Sequence, residues 1–84
     1  MTPLAFEERY CSEWRELADM LQRARGEKKV ANAGQAEFSA QRLTQLYRRA
    51  CEQLALARSR SFPAHLVDRL ESLTHDAHQL IYRQ

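Results

Sequence analysis

Glycine and proline are scarce in this chain, and their scarcity constrains the fold more than any other feature of the sequence. The 84 residues include two glycines and two prolines, the residue types that most disfavour the interior of an α-helix. They stand at Pro3, Gly26, Gly34 and Pro63, which leaves three long uninterrupted stretches. Ala, Leu, Arg, Glu and Gln dominate these stretches and favour helix. The sequence therefore predicts three α-helices.

The first helix is predicted over residues 3–25. Thr2 is a candidate N-cap, and Pro3 suits the first helical position, where its missing N–H costs nothing. Large apolar residues then recur at helical spacing and form one stripe. The predicted core residues of this helix are Phe6, Tyr10, Trp14, Leu17 and Leu21. Charged residues occupy the other side, so one face is expected to be buried and the other solvated.

Polar residues between Gly26 and Gly34 predict a connection of about nine residues, long enough for an antiparallel return. The second helix is predicted over residues 35–60, with a second apolar stripe. Its predicted core residues are Leu43, Leu46, Tyr47 and Leu54. Phe38 and Leu56 lie outside the stripe, and we expect their side chains to remain available for contact with a partner.

Pro63 ends the second helical stretch, because it disfavours helical geometry at Phe62 and then suits the opening turn of a new helix. The third helix is predicted over residues 63–83. Its apolar stripe is broad enough to touch two neighbouring helices. The predicted core residues are Leu66, Leu70, Leu73, Leu80 and Ile81. The chain is thus predicted to be a single all-α domain over residues 1–84, an antiparallel three-helix bundle.

The charge is modest and uneven along the chain. The net charge is +2, and residues 35–60 carry five arginines against two glutamates, a local excess of +3. Arg48, Arg49, Arg58 and Arg60 are candidates for contact with an anion or an acidic partner, since guanidinium groups pair well with phosphates and carboxylates. The alternative is a solvated helix face, which we favour because Glu52 interrupts the group. The small net charge argues against nucleic acid as a partner.

The histidines do not predict a metal centre. His75 and His78 are three residues apart, but helical geometry places His78 near the edge of the core and His75 towards solvent. His65 and Asp76 point in other directions, so no third metal ligand is expected. His78 is expected at the edge of the core, beside Tyr47 or Tyr10 of a neighbouring helix. A structural role is favoured there, with pH sensing as the alternative. We expect neither a metal nor another cofactor.

No pattern in the sequence indicates catalysis. Catalysis requires a nucleophile beside a base, or convergent carboxylates in a cleft, and a bundle of this size has little room for a cleft. Cys11 and Cys51 have no visible activating group, and two widely separated cysteines indicate neither a disulfide framework nor a zinc site. The expectation is a non-enzymatic domain with no small-molecule substrate. No stretch of about 20 apolar residues and no signal peptide is evident.

Three clusters of residues in order resemble a known family. The first runs from Phe6 to Arg9 and continues at Trp14–Leu17, the second covers Leu46–Ala50 and Leu54–Arg58, and the third extends from Leu66 to Tyr82. Together they resemble the N-terminal soluble region of the stage II sporulation protein M family of bacterial integral membrane proteins. Glu71 and Asp76 depart from the pattern, which puts a polar network around His78 in doubt.

The resemblance implies that this domain precedes several transmembrane helices in a longer protein. The third predicted helix agrees with this, because no Gly, Asn or Pro stops it before Gln84. The implied location is the bacterial inner membrane, with the domain on the cytoplasmic side, where arginine-bearing segments are favoured. The expected function is docking on the transmembrane part of the same protein, on another protein, or on a second copy in a homodimer. The alternatives are a free-standing helical adaptor that self-associates and, third, a nucleic-acid-associated helical protein.

Overall fold

A computed structural model describes residues 2–26 and 33–82 of the protein, and the side chains of residues 2–24 and 40–82. It contains three helices, α1 (Pro3–Gly26), α2 (Ala33–Ser59) and α3 (Ala64–Tyr82). The helices pack into one bundle with principal-axis extents of 42 × 24 × 18 Å. The predicted all-α three-helix bundle is confirmed. None of the helices within the described residues is both long and apolar enough to cross a bilayer.

The predicted helix boundaries differ from the observed ones by a residue or two. Gly26 is the last residue of α1, and Gly34 lies in the first turn of α2, so neither glycine belongs to the connection as predicted. Glycine destabilises a helix less at these two places, because residues at a helix end lose less conformational freedom than residues in its interior. Ala33 also belongs to α2, and the remaining residues of the predicted connection, 27–32, lie outside the described residues.

Thr2 caps α1 as predicted. The Ala5 amide donates to Thr2 Oγ1 at 3.1 Å, and the Phe6 amide donates to the Thr2 carbonyl at 2.9 Å. The hydroxyl thereby satisfies one of the amides at the start of the helix that have no partner within it. This cap fixes the position at which Phe6 enters the core.

The end of α2 is closed by a left-handed residue that is not glycine. Ser61 has a φ of 54°. The Phe62 amide donates to the Ala57 carbonyl at 3.0 Å, and the Ser61 amide donates to the Arg58 carbonyl at 3.1 Å. These two bonds define a Schellman motif, which usually places glycine at the left-handed position. The chain reverses there, and α3 begins at Ala64, one residue after the predicted start at Pro63.

The core lies between the three apolar stripes. Of the predicted core residues, eight are buried: Phe6, Trp14, Leu17, Leu21, Leu46, Leu66, Leu70 and Leu73. Five more are partly buried against them: Tyr10, Leu43, Tyr47, Leu54 and Leu80. Ile81 is half-buried. Three alanines, Ala50, Ala57 and Ala77, complete the core, and their small side chains let α2 and α3 approach closely.

Candidate interaction surfaces

The interface between α1 and α2 contains a buried polar link that the apolar pattern did not predict. Trp14 Nε1 donates to Gln53 Oε1 at 2.6 Å. Gln53 is 7% exposed and is the buried polar residue of the described core. Gln53 Nε2 in turn donates to Glu13 Oε1 at 3.2 Å. Because a buried indole N–H without an acceptor is costly, Gln53 fixes the position of Trp14 relative to α2.

Two arginines of α2 form two-pronged ion pairs with carboxylates of α1. Arg49 donates through Nε and Nη2 to the two carboxylate oxygens of Glu13, each at 2.8 Å. Arg42 binds Glu16 in the same way, with both distances at 2.8 Å. Glu13 comes before Glu16 in α1, whereas Arg49 comes after Arg42 in α2, so the two helices run antiparallel. The parallel fork geometry makes these pairs more specific than single contacts.

The ion pairs perturb the acidity of both glutamates. The hydrogen bond from Arg49, aided by the one from Gln53, holds the pKa of Glu13 below its ordinary value of 4.5, against an opposing effect of partial burial. The Arg42 hydrogen bond likewise lowers the pKa of Glu16. The same contacts raise the pKa values of Arg42 and Arg49. Both pairs are therefore fully charged at neutral pH.

The four candidate arginines do not form one anion site. Arg49 is held by Glu13, and Arg58 forms an ion pair with Glu71 of α3. Arg48 and Arg60 are exposed and have no ion-pair partner within the described part of the chain. Two of the four arginine charges are therefore neutralised by carboxylates of other helices. Which arginines are neutralised depends on which helices pack together and not on the spacing of the arginines within α2.

One open depression lies along the side of α2 that faces away from the core. Its walls are formed by residues of α2 alone, from Ala40 to Glu52. Arg48 lies in this depression together with amide side chains of Gln41 and Gln45. Arg42 and Arg49 also line it, but both are already paired with α1. Most of its lining side chains carry a polar group, and Arg48 and Glu52 are its charged groups without an ion-pair partner in the described residues.

The bundle has a closed aromatic cluster near the start of α1. The ring of Phe6 contacts those of Tyr10, Trp14 and Phe62, with centroid separations of 5.3, 5.8 and 5.0 Å. Arg69 of α3 lies over the Trp14 ring, with its guanidinium carbon 5.3 Å from the centroid. Phe6 and Trp14 are almost completely buried. Phe6 and Trp14 thus belong to the core, where the sequence predicts them, and Tyr10 and Phe62 are partly buried against it.

A second aromatic cluster lies at the other end of the bundle, and it is open to solvent. We call Tyr47, His78 and Tyr82 the open aromatic cluster. The His78 and Tyr82 rings are 4.7 Å apart, and the Tyr47 ring lies 6.1 Å from His78 and 6.3 Å from Tyr82. Tyr82 is 58% exposed. Partial burial, followed by the neighbouring Cys51 thiol, raises the pKa of Tyr47.

The predicted position of His78 is partly confirmed. Its ring contacts Tyr47, one of the two expected neighbours, but the side chain is exposed rather than held at the core edge. Within the described residues, no group of three or more His, Cys, Asp or Glu side chains is arranged to hold a metal ion. Cys11 and Cys51 are free, partly buried thiols.

The two predicted partner-contact residues have different outcomes. The side chain of Phe38 lies outside the described part of α2. Leu56 is partly buried and packs against the hydrophobic core, so less of its side chain is exposed than its position outside the stripe indicated, and its contact with a partner stays a prediction. Leu56 comes seven residues after Arg49, which pairs with Glu13 of α1, so it lies on the flank of α2 that faces α1. The exposed large apolar residues of the described chain are Leu4, at 64%, and Tyr82.

These features define an all-helical domain that has one closed aromatic end and one open aromatic end. The family model described as a domain of unknown function (DUF8413) matches residues 4–83. The chain therefore belongs to the DUF8413 family. No curated protein and no solved structure matches it.

Proposed function

We propose that this chain is a non-enzymatic docking domain of a multi-pass bacterial membrane protein of the stage II sporulation protein M type. In this proposal the open aromatic cluster packs on the transmembrane part of the same protein, at the cytoplasmic face of the inner membrane. The sequence resemblance suggests the membrane attachment. The asymmetry between the two aromatic clusters suggests the contact surface.

The observation that carries the proposal is the exposure of Tyr82. The closed cluster buries Phe6 completely, whereas the open aromatic cluster leaves more than half of the Tyr82 surface in solvent. Tyrosine is enriched at protein interfaces because its ring supplies apolar contact and its hydroxyl supplies a hydrogen bond. The Tyr82 ring already packs on His78 and Tyr47. A partner therefore meets a side chain whose conformational freedom is already reduced, which lowers the entropic cost of docking.

The first test is the reading frame that contains this chain. The proposal requires, beyond the domain, several apolar stretches of about 20 residues, each long enough to span a bilayer. Their presence supports membrane attachment. A complete reading frame without such stretches would refute it and leave the self-associating adaptor as the better account.

The second test separates the contact surface from the attachment. The domain and the membrane part are produced as separate polypeptides, and their affinity is measured in detergent by fluorescence anisotropy. A Tyr82→Ala variant is expected to bind about tenfold or more weakly, as for an aromatic residue that dominates an interface. Leu4→Ala is the matched control, because Leu4 is equally exposed but lies at the other end of the bundle. Equal affinities for the two variants would contradict the assigned surface.

A further inference from the structure

The side of α2 that faces away from the core carries a regular exposed stripe. Six exposed residues follow one another at alternating spacings of four and three positions, which places them on one side of the helix. We call them the outer stripe: Gln41, Gln45, Arg48, Glu52, Ala55 and Ser59. The same alternating spacing defines the contact seam of paired helices. Here the seam is polar and no element of the described chain covers it.

The outer stripe contains two opposite charges that are not paired with each other. Arg48 and Glu52 are one turn apart and exposed, yet no ion pair joins them or links either to another described residue. The hydrogen bond to Glu13 raises the pKa of Arg49, and Glu52 raises it only weakly. An acidic residue placed before a basic one gives the better pair at this spacing, and here the order is reversed. The neighbouring cations differ, because Arg42 and Arg49 are neutralised by Glu16 and Glu13. Arg48 and Glu52 thus remain available to a complementary surface.

The stripe is complementary to itself in an antiparallel arrangement. A two-fold axis at the level of Ala50 brings Arg48 of one chain opposite Glu52 of a second copy, and Glu52 opposite Arg48. The same axis brings the long Gln45 opposite the small Ala55, and the long Gln41 opposite the small Ser59. Along the whole stripe, each charged residue therefore faces a residue of opposite charge, and each long side chain faces a small one. A self-complementary two-fold interface requires this kind of match.

We propose that a second copy of this chain binds antiparallel along the outer stripe and that two reciprocal Arg48–Glu52 ion pairs fix its register. The two Arg49 side chains approach each other near the axis, but each carries its own Glu13, so the dimer brings together two ion pairs and not two unpaired cations. This surface lies on α2 and is separate from the open aromatic cluster. The self-association is independent of docking on a membrane part.

The expected dimer is weak. The contact involves one helix face and exposed ion pairs, which contribute little to affinity because solvent screens them. Interfaces of this kind belong to the small, transient class. We expect a dissociation constant of about 0.1 mM at low ionic strength, and weaker association in high salt because exposed charges are screened.

The test is a charge swap followed by sedimentation equilibrium on this chain at up to about 1 mM, which covers the expected dissociation constant. Arg48→Glu and Glu52→Arg each convert two attractive contacts into two repulsive ones, so each variant is expected to dimerise about tenfold more weakly. An equimolar mixture of the Arg48→Glu and Glu52→Arg chains restores opposite charges across the interface, and it places no acidic residue one turn before a basic one at these two positions in either chain. The heterodimer is expected to form with a dissociation constant within about threefold of that of the unmodified chain.

Matched controls keep this test specific. Arg15→Glu makes the same charge change at an exposed position of α1, and circular dichroism checks that every variant remains folded. Arg15→Glu and Tyr82→Ala are expected to leave the dissociation constant unchanged. A chain that is monomeric throughout the concentration range would overturn the proposal. So would a mixture of the two single variants that associates no more tightly than either variant alone, or a loss of association in Tyr82→Ala.

Discussion

Replacing Gln53 by methionine tests whether the buried polar link stabilises the bundle. Methionine has a similar length, but its thioether sulfur is only a weak acceptor for the hydrogen bond from Trp14 Nε1, which Gln53 Oε1 accepts at 2.6 Å. Trp14 is 1% exposed, so water cannot replace the lost acceptor. An unsatisfied buried donor costs about 1–3 kcal/mol. The variant also loses the bond from Gln53 to Glu13.

The apolar methionine side chain offsets part of this loss, because burying one methylene contributes about 0.8 kcal/mol. The expected net destabilisation is about 2 kcal/mol. For a domain of this size, each kcal/mol lowers the melting temperature by about 4–8 °C. We therefore expect the midpoint to fall by roughly 8–16 °C in a thermal melt followed by circular dichroism.

A double-mutant cycle isolates the Trp14–Gln53 contact from the change in packing. Trp14→Phe removes the donor, so in that background Gln53→Met no longer leaves an indole N–H unsatisfied. The combined variant is expected to be more stable than the sum of the single effects by about 1 kcal/mol. If Gln53→Met is neutral, or if the two changes are strictly additive, the reasoning about the buried link is refuted.

Three further predictions concern helix ends and ion pairs. Ser61→Gly is expected to stabilise the protein by about 1 kcal/mol, because glycine adopts the positive φ of this position without a steric penalty. Thr2→Ala is expected to cost about 1 kcal/mol through loss of the cap on α1. Both changes are measured by urea denaturation. The third prediction concerns pH. The pKa values of Glu13 and Glu16 are lowered in the folded protein, so the unfolded chain takes up protons first as the pH falls below about 5. Stability is therefore expected to decrease through that range, and less steeply in a Glu13→Gln, Glu16→Gln variant.

Each of these predictions has a control within the chain. Ser72→Gly places glycine in the exposed interior of α3 and should destabilise the protein, in contrast to Ser61→Gly. Ser12→Ala removes a hydroxyl from an exposed helix-interior position and should not destabilise it. A Ser61→Gly variant no more stable than the parent would contradict the account of the α2 terminus. An unchanged pH dependence in the double glutamine variant would contradict the role of the two ion pairs.

The parts of the fold that depend on local rules were predictable from the sequence. Thr2 and Pro63 act on the residues next to them, so their effects on helix ends follow from stereochemistry alone. The apolar stripes likewise identified Phe6, Trp14, Leu46 and Leu70 as core residues, because helical periodicity is an intrinsic property of the chain. These features need no knowledge of how the helices are arranged.

The features that depend on the arrangement of helices were not predictable. Gln53 has its partner 39 positions away, and a polar residue in a helical pattern is normally assigned to the surface. Arg49 and Arg58 pair with different helices, so their spacing within α2 could not show which charges are neutralised. Leu56 is partly buried because it lies on the flank of α2 that faces α1. Ser61 adopts a left-handed backbone conformation, which is usually found at glycine. A serine in the sequence therefore gave no sign of it.

The most direct test of the proposed docking function is hydroxyl-radical footprinting of Tyr82, read by mass spectrometry. The modification rate of this side chain is compared between the 84-residue chain alone and the membrane-embedded protein that contains it, with Leu4 as the internal reference. If the open aromatic cluster docks on the membrane part, Tyr82 should be protected several-fold while Leu4 reacts at the same rate in both. Equal reactivity of Tyr82 in the two forms would show that this surface remains free and would contradict the account.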